Sequence, residues 1–514
     1  MNRHFYLVAG LKTVAMLSAI GGAVETHAQG SNSEASAARA TQLAARFSIS
    51  QTSTDNLHLT PVAQQSEQIT EVSPGIRIAS DGARFKGHLD YSLREISYAQ
   101  GSSPRRHLNA LNTAGELEVI DNWAFLEASG SISQQAISAF GTPSIGSALL
   151  NSNQAEVSNY RISPILRGHL GSLATYDIRY SRSTLQSDSV ASLGVTTAES
   201  LVKVQGSSSF KSLGWSAEAS RQNVDYSAGR STEGDRASLG LMLAISPQLS
   251  LIGNLGRESN NYASLEKTDH VTSGLGVHWD PSESTKLAAM INRRSFGDAH
   301  SLTFEHRTPR TVWRVTDSKD ISGTPSLTGP GSMGSAYDLY FSQFAAAQPD
   351  PLLRAEMVTA FLQSNGIRAN ETVTSSFLTS ALSLQRRQEL SFALIGVRDT
   401  VTFMAARTDS TRLDTLSTGI DDFNSSALIR QSGFSINLAH RLTPAYTLSV
   451  TGSEQYTSGL SAGQDSNLHS LQMSLTGKLG PRSILILGAQ RNVSDGIVAP
   501  YGESSIHLLW IFQF

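Results

Sequence analysis

Phe85, Gly87, Leu89, Tyr91 and Leu93 form one set of alternate positions with an apolar character, and Lys86, His88, Asp90, Ser92 and Arg94 fill the other set. A period of two is that of an extended strand, whose successive side chains leave opposite faces of the backbone. The alternation returns at Ala174, Tyr176, Ile178 and Tyr180 against Thr175, Asp177, Arg179 and Ser181, and again at Leu239, Leu241, Leu243 and Ile245. Leu471, Met473 and Leu475 oppose Gln472, Ser474 and Thr476 in the same way. The chain therefore predicts strand after strand with one greasy and one polar face.

A soluble sandwich also alternates, but nothing in it requires its two sets of turns to differ in length. Here they differ. Tight turns carry proline at Ser246-Pro247, Asp280-Pro281, Thr308-Pro309, Thr443-Pro444 and Gly480-Pro481, and longer Ser/Gly/Asn/Asp segments such as 260–268, 412–426 and 457–466 lie between them. Short turns on one rim and long loops on the other are the signature of a transmembrane barrel, and strands cross lipid only in a closed sheet. The alternating segments number about 22, or about 18 to 20 if the least regular one is discounted, and bacterial barrels have an even strand number. That least regular segment is 378–395, where Gln385-Arg386-Arg387-Gln388-Glu389 interrupts the alternation. An unbroken strand there turns Arg386 toward lipid, which is tolerated only at a rim. The expected fold is an all-β, antiparallel up-and-down transmembrane barrel with the proline turns in the periplasm.

One segment departs from this. Residues 320–376 are Gly/Ser/Pro-rich and then carry a short helical signal, with Asp350 as N-cap, Pro351 in the first turn and Asn365-Gly366 as the stop. Leu353, Met357 and Phe361 lie on its apolar stripe, together with Val358 and Leu362. Parity places this insertion on the extracellular rim, where it reads either as a lid folded into the lumen or as an external loop packed on its neighbours. The expected organisation is a signal peptide at 1–28, a short periplasmic segment at 29–42, the first part of the barrel at 43–319, the insertion at 320–376 and the rest of the barrel at 377–514.

Composition narrows the function. The 514 residues hold 40 Lys+Arg against 43 Asp+Glu, a net charge of −3, with only 16% charged residues and no cysteine. Ordinary soluble domains are roughly a quarter charged, so polarity here comes from Ser, Thr, Asn, Gln and Gly. A basic nucleic-acid binder and an acidic disordered chain are both excluded, as are disulfides, thiolate metal sites and a cysteine nucleophile. Arg3 and Lys12, the apolar run Thr13 to Val24 and the small-x-small site Thr26-His27-Ala28 read as a cleaved secretory signal. Beyond it no run approaches the roughly 18 apolar residues of a membrane helix. Only about fifteen residues separate the cleavage site from the first strand, too few for the plug domain of an energy-coupled transporter.

Candidate chemistry is sparse. His469-Ser470 and His306-Arg307 lack the spacing of a catalytic set, no phosphate-binding glycine loop opens a helix, and no clustered metal-ligand spacing occurs. The expectation is a protein without catalytic residues or cofactor. On the alternation, Lys86, Asp90, Arg94, Asp177, Arg179 and Arg314 point into the lumen, either lining a pore or pairing to fill it. Arg105-Arg106 and Arg293-Arg294 lie near strand ends, where cations meet lipopolysaccharide phosphates or water. Trp510, Phe512 and Phe514 share the face of the last strand and resemble the C-terminal signal read by the barrel assembly machinery.

Several segments are similar to a family, the large outer-membrane proteins associated with PEP-CTERM/exosortase systems and encoded beside exopolysaccharide synthesis genes. Phe47-Ser48-Ile49-Ser50 leading to Thr54-Asp55-Asn56 resembles the family's opening strand, with Ser53 where an aromatic is usual. Asn159-Tyr160-Arg161-Ile162-Ser163-Pro164 and Tyr176-Asp177-Ile178-Arg179-Tyr180-Ser181 resemble its middle hairpin. Pro349-Asp350-Pro351 through Gly366, Leu384-Gln385-Arg386-Arg387-Gln388 and Thr400-Val401-Thr402-Phe403 are the most specific matches. The resemblance implies the outer membrane, with its lipid and lipopolysaccharide, and a context of extracellular polysaccharide and its export components. It carries over no catalytic motif. Two functions are expected from these readings, a monomeric channel gated by 320–376 or a non-conducting surface scaffold that binds glycan or protein through its loops; an outer-membrane hydrolase is the weakest candidate.

Overall fold

The computed structural model describes residues 41–188, 194–207, 212–322, 377–414, 421–461, 463–496 and 500–514, with Tyr337, Phe341, Arg354, Val358 and Thr359. The signal peptide and most of the insertion, including Leu353, Met357 and Phe361, lie outside the described residues. The strands are β1 (Gln42–Thr54), β2 (Glu67–Asp81), β3 (Phe85–Tyr98), β4 (Arg106–Ile120), β5 (Ala124–Ala136), β6 (Gln154–Leu170), β7 (Ala174–Ser187), β8 (Val195–Ser207), β9 (Leu213–Tyr226), β10 (Thr232–Ser246) and β11 (Leu249–Asn260). They continue as β12 (Thr268–Ser282), β13 (Thr285–Arg294), β14 (Gly297–Arg307), β15 (Thr311–Ser322), β16 (Ser383–Ile395), β17 (Asp399–Arg412), β18 (Leu428–Arg441), β19 (Tyr446–Ser458), β20 (Ser466–Gly480), β21 (Ser483–Ser494) and β22 (Tyr501–Gln513). Each pairs antiparallel with the next, and β22 pairs antiparallel with β1, so the 22-stranded sheet closes without a free edge. The barrel fold and strand number expected from the alternation are those observed.

The turns sort by rim. Pro247, Pro309, Pro444 and Pro481 sit in connections of a few residues on one rim, with Pro281 at the end of β12 beside it; the segments 55–66, 137–153, 323–382 and 413–427 all leave the other rim. Gly171 (φ 58°) turns β6 into β7, and Gly297 (φ 103°) lets β13 and β14 join through Ser295 and Phe296 alone, conformations that a side chain disfavours.

Alternation gives the barrel two unlike surfaces. All five tryptophans, Trp123, Trp215, Trp279, Trp313 and Trp510, lie toward the short-turn rim and point outward. Above them runs a charge-free belt in which Leu239, Leu255, Leu275, Ile291, Leu471 and Ile506 are exposed. Outward-facing charge returns in the part of each strand next to the long-loop rim, as in Glu95, Arg257, Asp317, Asp409 and Arg491. An aromatic girdle, an apolar belt and a charged collar form the exterior of a barrel that crosses lipid. Among the described residues no helix is long and apolar enough to cross a membrane.

The buried apolar residues lie inside the barrel, mostly at the long-loop end, where loops fold inward. Leu57, Leu59 and Leu149 from two loops pack on the inward-facing Ile69, Ile96, Leu108 and Leu468. Leu378 and Leu382, just before β16, pack on Val157, Leu185, Val195 and Val224. β16 therefore starts at Ser383, later than the expected 378, because the preceding residues fold into the lumen. The strand is unbroken, Arg386 stands near its long-loop end on the outer face, and Asp317 of β15 pairs with it at 2.9 Å.

Candidate functional site

The lumen wall changes character around the ring. On β1 to β8 the inward positions are charged. Register places Lys86 beside Glu116, Asp90 beside Arg77, Asp177 beside Arg167 and Lys203 beside Asp177. Arg94 forms a two-pronged pair with Glu71, both contacts at 2.7 Å, and also donates to Ser147 of the loop above. Asp90 accepts from Arg46. Arg167 reaches Asp177 at 3.1 Å, Glu116 at 3.3 Å and Glu127 at 3.4 Å, and Arg179 reaches Glu127 at 2.9 Å. Lys86, Asp90, Arg94, Asp177 and Arg179 thus share the inner face of one arc, whereas Arg314 faces inward on β15, opposite Glu305, well away from them.

These pairs are not sealed. The Arg179 and Asp177 side chains keep 28% and 33% of their surface, and a cavity of about 610 Å³ lies against Arg161, Arg167, Asp177, Arg179, Glu199 and Lys203. A second cavity of about 410 Å³ lies against Lys86, His88, Glu116 and Glu127 and shares Arg161 with the first. By contrast, Glu258 and Arg294 on β11 and β13 are nearly enclosed, with 2% and 12% of their side chains exposed and contacts of 3.0 and 3.1 Å.

On β17 to β21 the inward positions are uncharged and polar over most of their length. Thr400, Thr402, Ser435, Asn437, Ser449 and Thr476 are all buried. Asn437 donates to Ser449 at 2.8 Å and to Thr451 at 2.7 Å, while its own Oδ1 and the Thr476 Oγ1 have no hydrogen-bond partner among the described residues. The wall offers donors and acceptors without charge.

Loops from nearly opposite points of the ring meet across the long-loop mouth. The loop 137–153 reaches the 3-10 turn Asp422–Asn424, where the Asp422 carboxylate accepts from Ser138 Oγ and from the Ala139 N–H, both at 2.6 Å. Burial pushes the Asp422 carboxyl up, against the two bonds it accepts, and the neighbouring Asp421 charge adds to the rise. Asp421 in turn accepts from the Ser380 N–H at 2.5 Å and from Ser380 Oγ at 2.9 Å. The same long loop is tied to the start of β22, where the Tyr501 hydroxyl donates to the Pro143 carbonyl at 2.7 Å. Arg230 bonds Asp414 at 3.1 Å, joining the β9–β10 loop to the segment 413–427 that carries Asp422.

The described residues of the insertion sit lower. Tyr337, Phe341, Arg354, Val358 and Thr359 have helical backbone. Val358 is fully buried against Val312, Ala393, Met404 and Ala406, all inward-facing on β15 to β17, with Tyr337 and Phe341 packed on the same cluster. Val312 is the second residue of β15 and Ala393 the third from the end of β16, so this contact lies toward the short-turn rim. An insertion that leaves by the long-loop rim therefore reaches deep into the lumen along one wall.

Pairs that are adjacent in sequence are divided by the wall. His469 faces outward, bonded to Asn467 at 2.9 Å, while Ser470 faces in. His306 bonds Thr285 on the outer face and Arg307 meets Glu305 on the inner one. Arg105 is outside near Glu95, and Arg106 reaches inward to the Leu149 carbonyl. Arg293 is outside, and Arg294 is inside with Glu258. None of the four forms a two-residue site. Among the described residues no group of three or more metal-ligating side chains is gathered where it could hold an ion. Trp510 and Phe512 lie on the outer face at the closing seam, opposite Ile49 and Phe47, with ring centroids 4.2 Å apart, and the Phe514 N–H donates to the Ala45 carbonyl.

No protein-family model and no curated protein matches the sequence. Solved structures with a similar course of chain include the FrpB iron transporter from Neisseria meningitidis, at 10% identity and a TM-score of 0.48, covering 91% of this chain and 81% of that one. The siderophore receptor PirA from Pseudomonas aeruginosa has 8% identity and a TM-score of 0.43, covering 91% and 80%. PirA from Acinetobacter baumannii has 9% identity and a TM-score of 0.44, again covering 91% and 80%. Likeness at this level says nothing of what this chain binds.

Proposed function

We propose that the chain is a monomeric outer-membrane channel for a polar, uncharged solute, closed by the segment 320–376 and serving exopolysaccharide export in a PEP-CTERM context. The observation that carries the channel reading is Val358, fully buried against lumen-facing residues far below the rim from which its segment departs. A segment seated there occludes the lumen, yet open volume persists along β3 to β8. The uncharged wall of Thr400, Thr402, Ser435, Asn437 and Ser449 suits hydroxyl-rich solutes, and unpaired acceptors at Asn437 and Thr476 are the kind of group a saccharide hydroxyl satisfies. The polysaccharide context rests on the resemblance of 159–164, 349–366 and 384–403 to the PEP-CTERM-associated proteins. Export by a cleaved signal at 1–28, and assembly through Trp510, Phe512 and Phe514, belong to the same reading.

The bonds across the mouth from Asp422 to Ser138 and Ala139, with Tyr501 to Pro143, favour a second reading, a non-conducting scaffold whose capped surface binds glycan or partner proteins. Single-channel conductance of the refolded protein in planar bilayers separates the two, with wild type measured beside a deletion of 323–376. Conductance that rises on deletion supports the channel. Silence from both proteins, with heat-modifiable migration proving a folded barrel, sinks it in favour of the scaffold.

A further inference from the structure

The charged collar is not uniform. On β9 to β12 its basic side chains, Arg221, Arg257 and Lys267, are matched by Glu233, Asp235 and Asp269. On β19 to β22, His469 and Arg491 face Glu454, Asp495 and Asp55. On β14 to β18 the balance tips. Lys319, Arg386, Arg407 and Arg430 stand against Asp317, Asp409 and, at the start of β14, Asp298, with His300 beside them. The register puts His300, Lys319, Arg386, Asp409 and Arg430 in one row across five adjacent strands, and Asp317, Gln388 and Arg407 in the row beneath.

The two carboxylates lie below the surface of the patch. Asp317 and Asp409 keep 21% and 22% of their side-chain surface, against 45%, 46% and 42% for Arg386, Arg407 and Arg430. Asp317 accepts from Arg386 at 2.9 Å and from Gln388 at 3.0 Å, and Asp409 accepts from Arg430 at 2.9 Å and Arg407 at 3.1 Å. Asp317 thus fixes one guanidinium and Asp409 two, and all three arginine side chains remain more exposed than the carboxylates that hold them. Lys319 makes no ion pair among the described residues. Immediately toward the short-turn rim the same face becomes apolar, with Phe304, Val315 and Leu390 in register and Phe434 beside them.

We propose that this face binds a phosphorylated outer-leaflet lipid, its phosphate held by Lys319, Arg386, Arg407 and Arg430 and its acyl chains lying on Phe304, Val315, Leu390 and Phe434. Arginine forks bind phosphate through paired N–H donors, and the apolar surface lies where the chains of such a lipid begin. Charge complementarity favours this occupant over a zwitterionic lipid, which brings no excess of negative charge to the patch, and the apolar strip directly beneath the cations suits acyl chains.

Native mass spectrometry of the full-length protein in detergent tests this with diphosphoryl lipid A, the same lipid with both phosphates removed, and inorganic phosphate as competitor. Wild type is expected to retain diphosphoryl lipid A and to shed the dephosphorylated form. Lys319→Gln, at a position without an ion-pair partner, is expected to weaken retention roughly tenfold, the worth of a charge-assisted hydrogen bond. The triple variant Arg407→Gln, Arg430→Gln, Asp409→Asn removes two cations without stranding a carboxylate and is expected to weaken it at least as much. Equal retention of both lipids by wild type, or undiminished retention by the folded variants, would overturn the proposal. Complete displacement of the lipid by millimolar inorganic phosphate would also overturn it, because the site would then be one for free anions.

Discussion

Replacing Val358 by aspartate tests whether the inserted segment is what closes the lumen. The valine is fully buried among Val312, Ala393, Met404 and Ala406. Seating a valine side chain of this kind contributes about 1.5–3 kcal/mol, and a carboxylate in the same apolar pocket costs several kcal/mol more unless the segment leaves or the group takes a proton. A combined effect of about 4 kcal/mol is nearly three orders of magnitude in an equilibrium, at about 1.4 kcal/mol per factor of ten. A lumen closed roughly 1,000:1 in wild type would then be open about half the time. The strands do not depend on this contact for their pairing, so the variant should still migrate as a folded, heat-modifiable barrel. The assay is single-channel recording in planar bilayers, with Val358→Ile as the volume-tolerant control and Val358→Ala as the intermediate step. The expected order of open probability is Asp above Ala above Ile and wild type. A folded Val358→Asp barrel with the wild-type open probability at every voltage would refute the reasoning, because the occluding segment would have lost its seat without consequence.

Three further outcomes follow from the lumen chemistry. Arg294→Ala strands Glu258, whose side chain is 2% exposed, and should lower the unfolding free energy by about 3–5 kcal/mol in urea titration of the detergent-folded protein, the scale of a broken buried pair; a loss near zero would mean that water reaches Glu258. Arg167→Ala leaves Glu116, Glu127 and Asp177 without their shared cation, so in a conducting variant the reversal potential under a salt gradient should move toward cation selectivity, and an unmoved potential would take this arc out of the conducting path. Burial raises the Asp422 carboxyl, so its neutral form is the one the fold favours: the mouth contact is most stable near and below the ordinary aspartate range and weakens as pH rises through the folded value. Hydrogen exchange at the Ala139 amide, corrected for the intrinsic rate, should therefore slow as pH falls from neutral, and Asp422→Ala should abolish the dependence; a pH-independent wild type contradicts the assignment.

The strands were legible because their signal is local. Lys86, Asp90 and Arg94 lie four residues apart, and a period of two assigns them to one face without any knowledge of what stands opposite. The same rule, applied one residue at a time, would also have shown that Arg293-Arg294 and His469-Ser470 cannot act as pairs, since neighbours in a strand look to opposite sides of the wall. What the sequence did not disclose is distant in it. Asp422 meets Ser138 across 284 positions and Tyr501 meets Pro143 across 358, and no periodicity connects such residues. A trace was present nonetheless. Leu57, Leu59, Leu149, Leu378 and Leu382 are large apolar residues within loops, where water would surround them unless the loops folded inward. Arg386 was legible as an outward cation, but the outer-face patch of β14 to β18 was not, because its cations come one to a strand and meet only through the register of five strands.

The distribution of exposure among the ion pairs bears on whether the lumen is a path or a filling. In a lumen built only to be filled, charges are expected to be enclosed with every donor and acceptor met, as Arg294, Glu258 and Asn260 are at the long-loop end. The pairs on β4 to β8 are different: their side chains keep about a third of their surface over two adjoining cavities. Half-exposed pairs contribute little to stability. They do keep a wall wetted while nearly cancelling its net field, since Glu116, Glu127, Asp177 and Glu199 alternate with Arg161, Arg167, Arg179 and Lys203. A wetted, field-cancelled wall on one side and a hydroxyl-rich wall on the other neither repel nor trap an uncharged polar chain. On the channel reading proposed above, that combination suits the passage of such a solute.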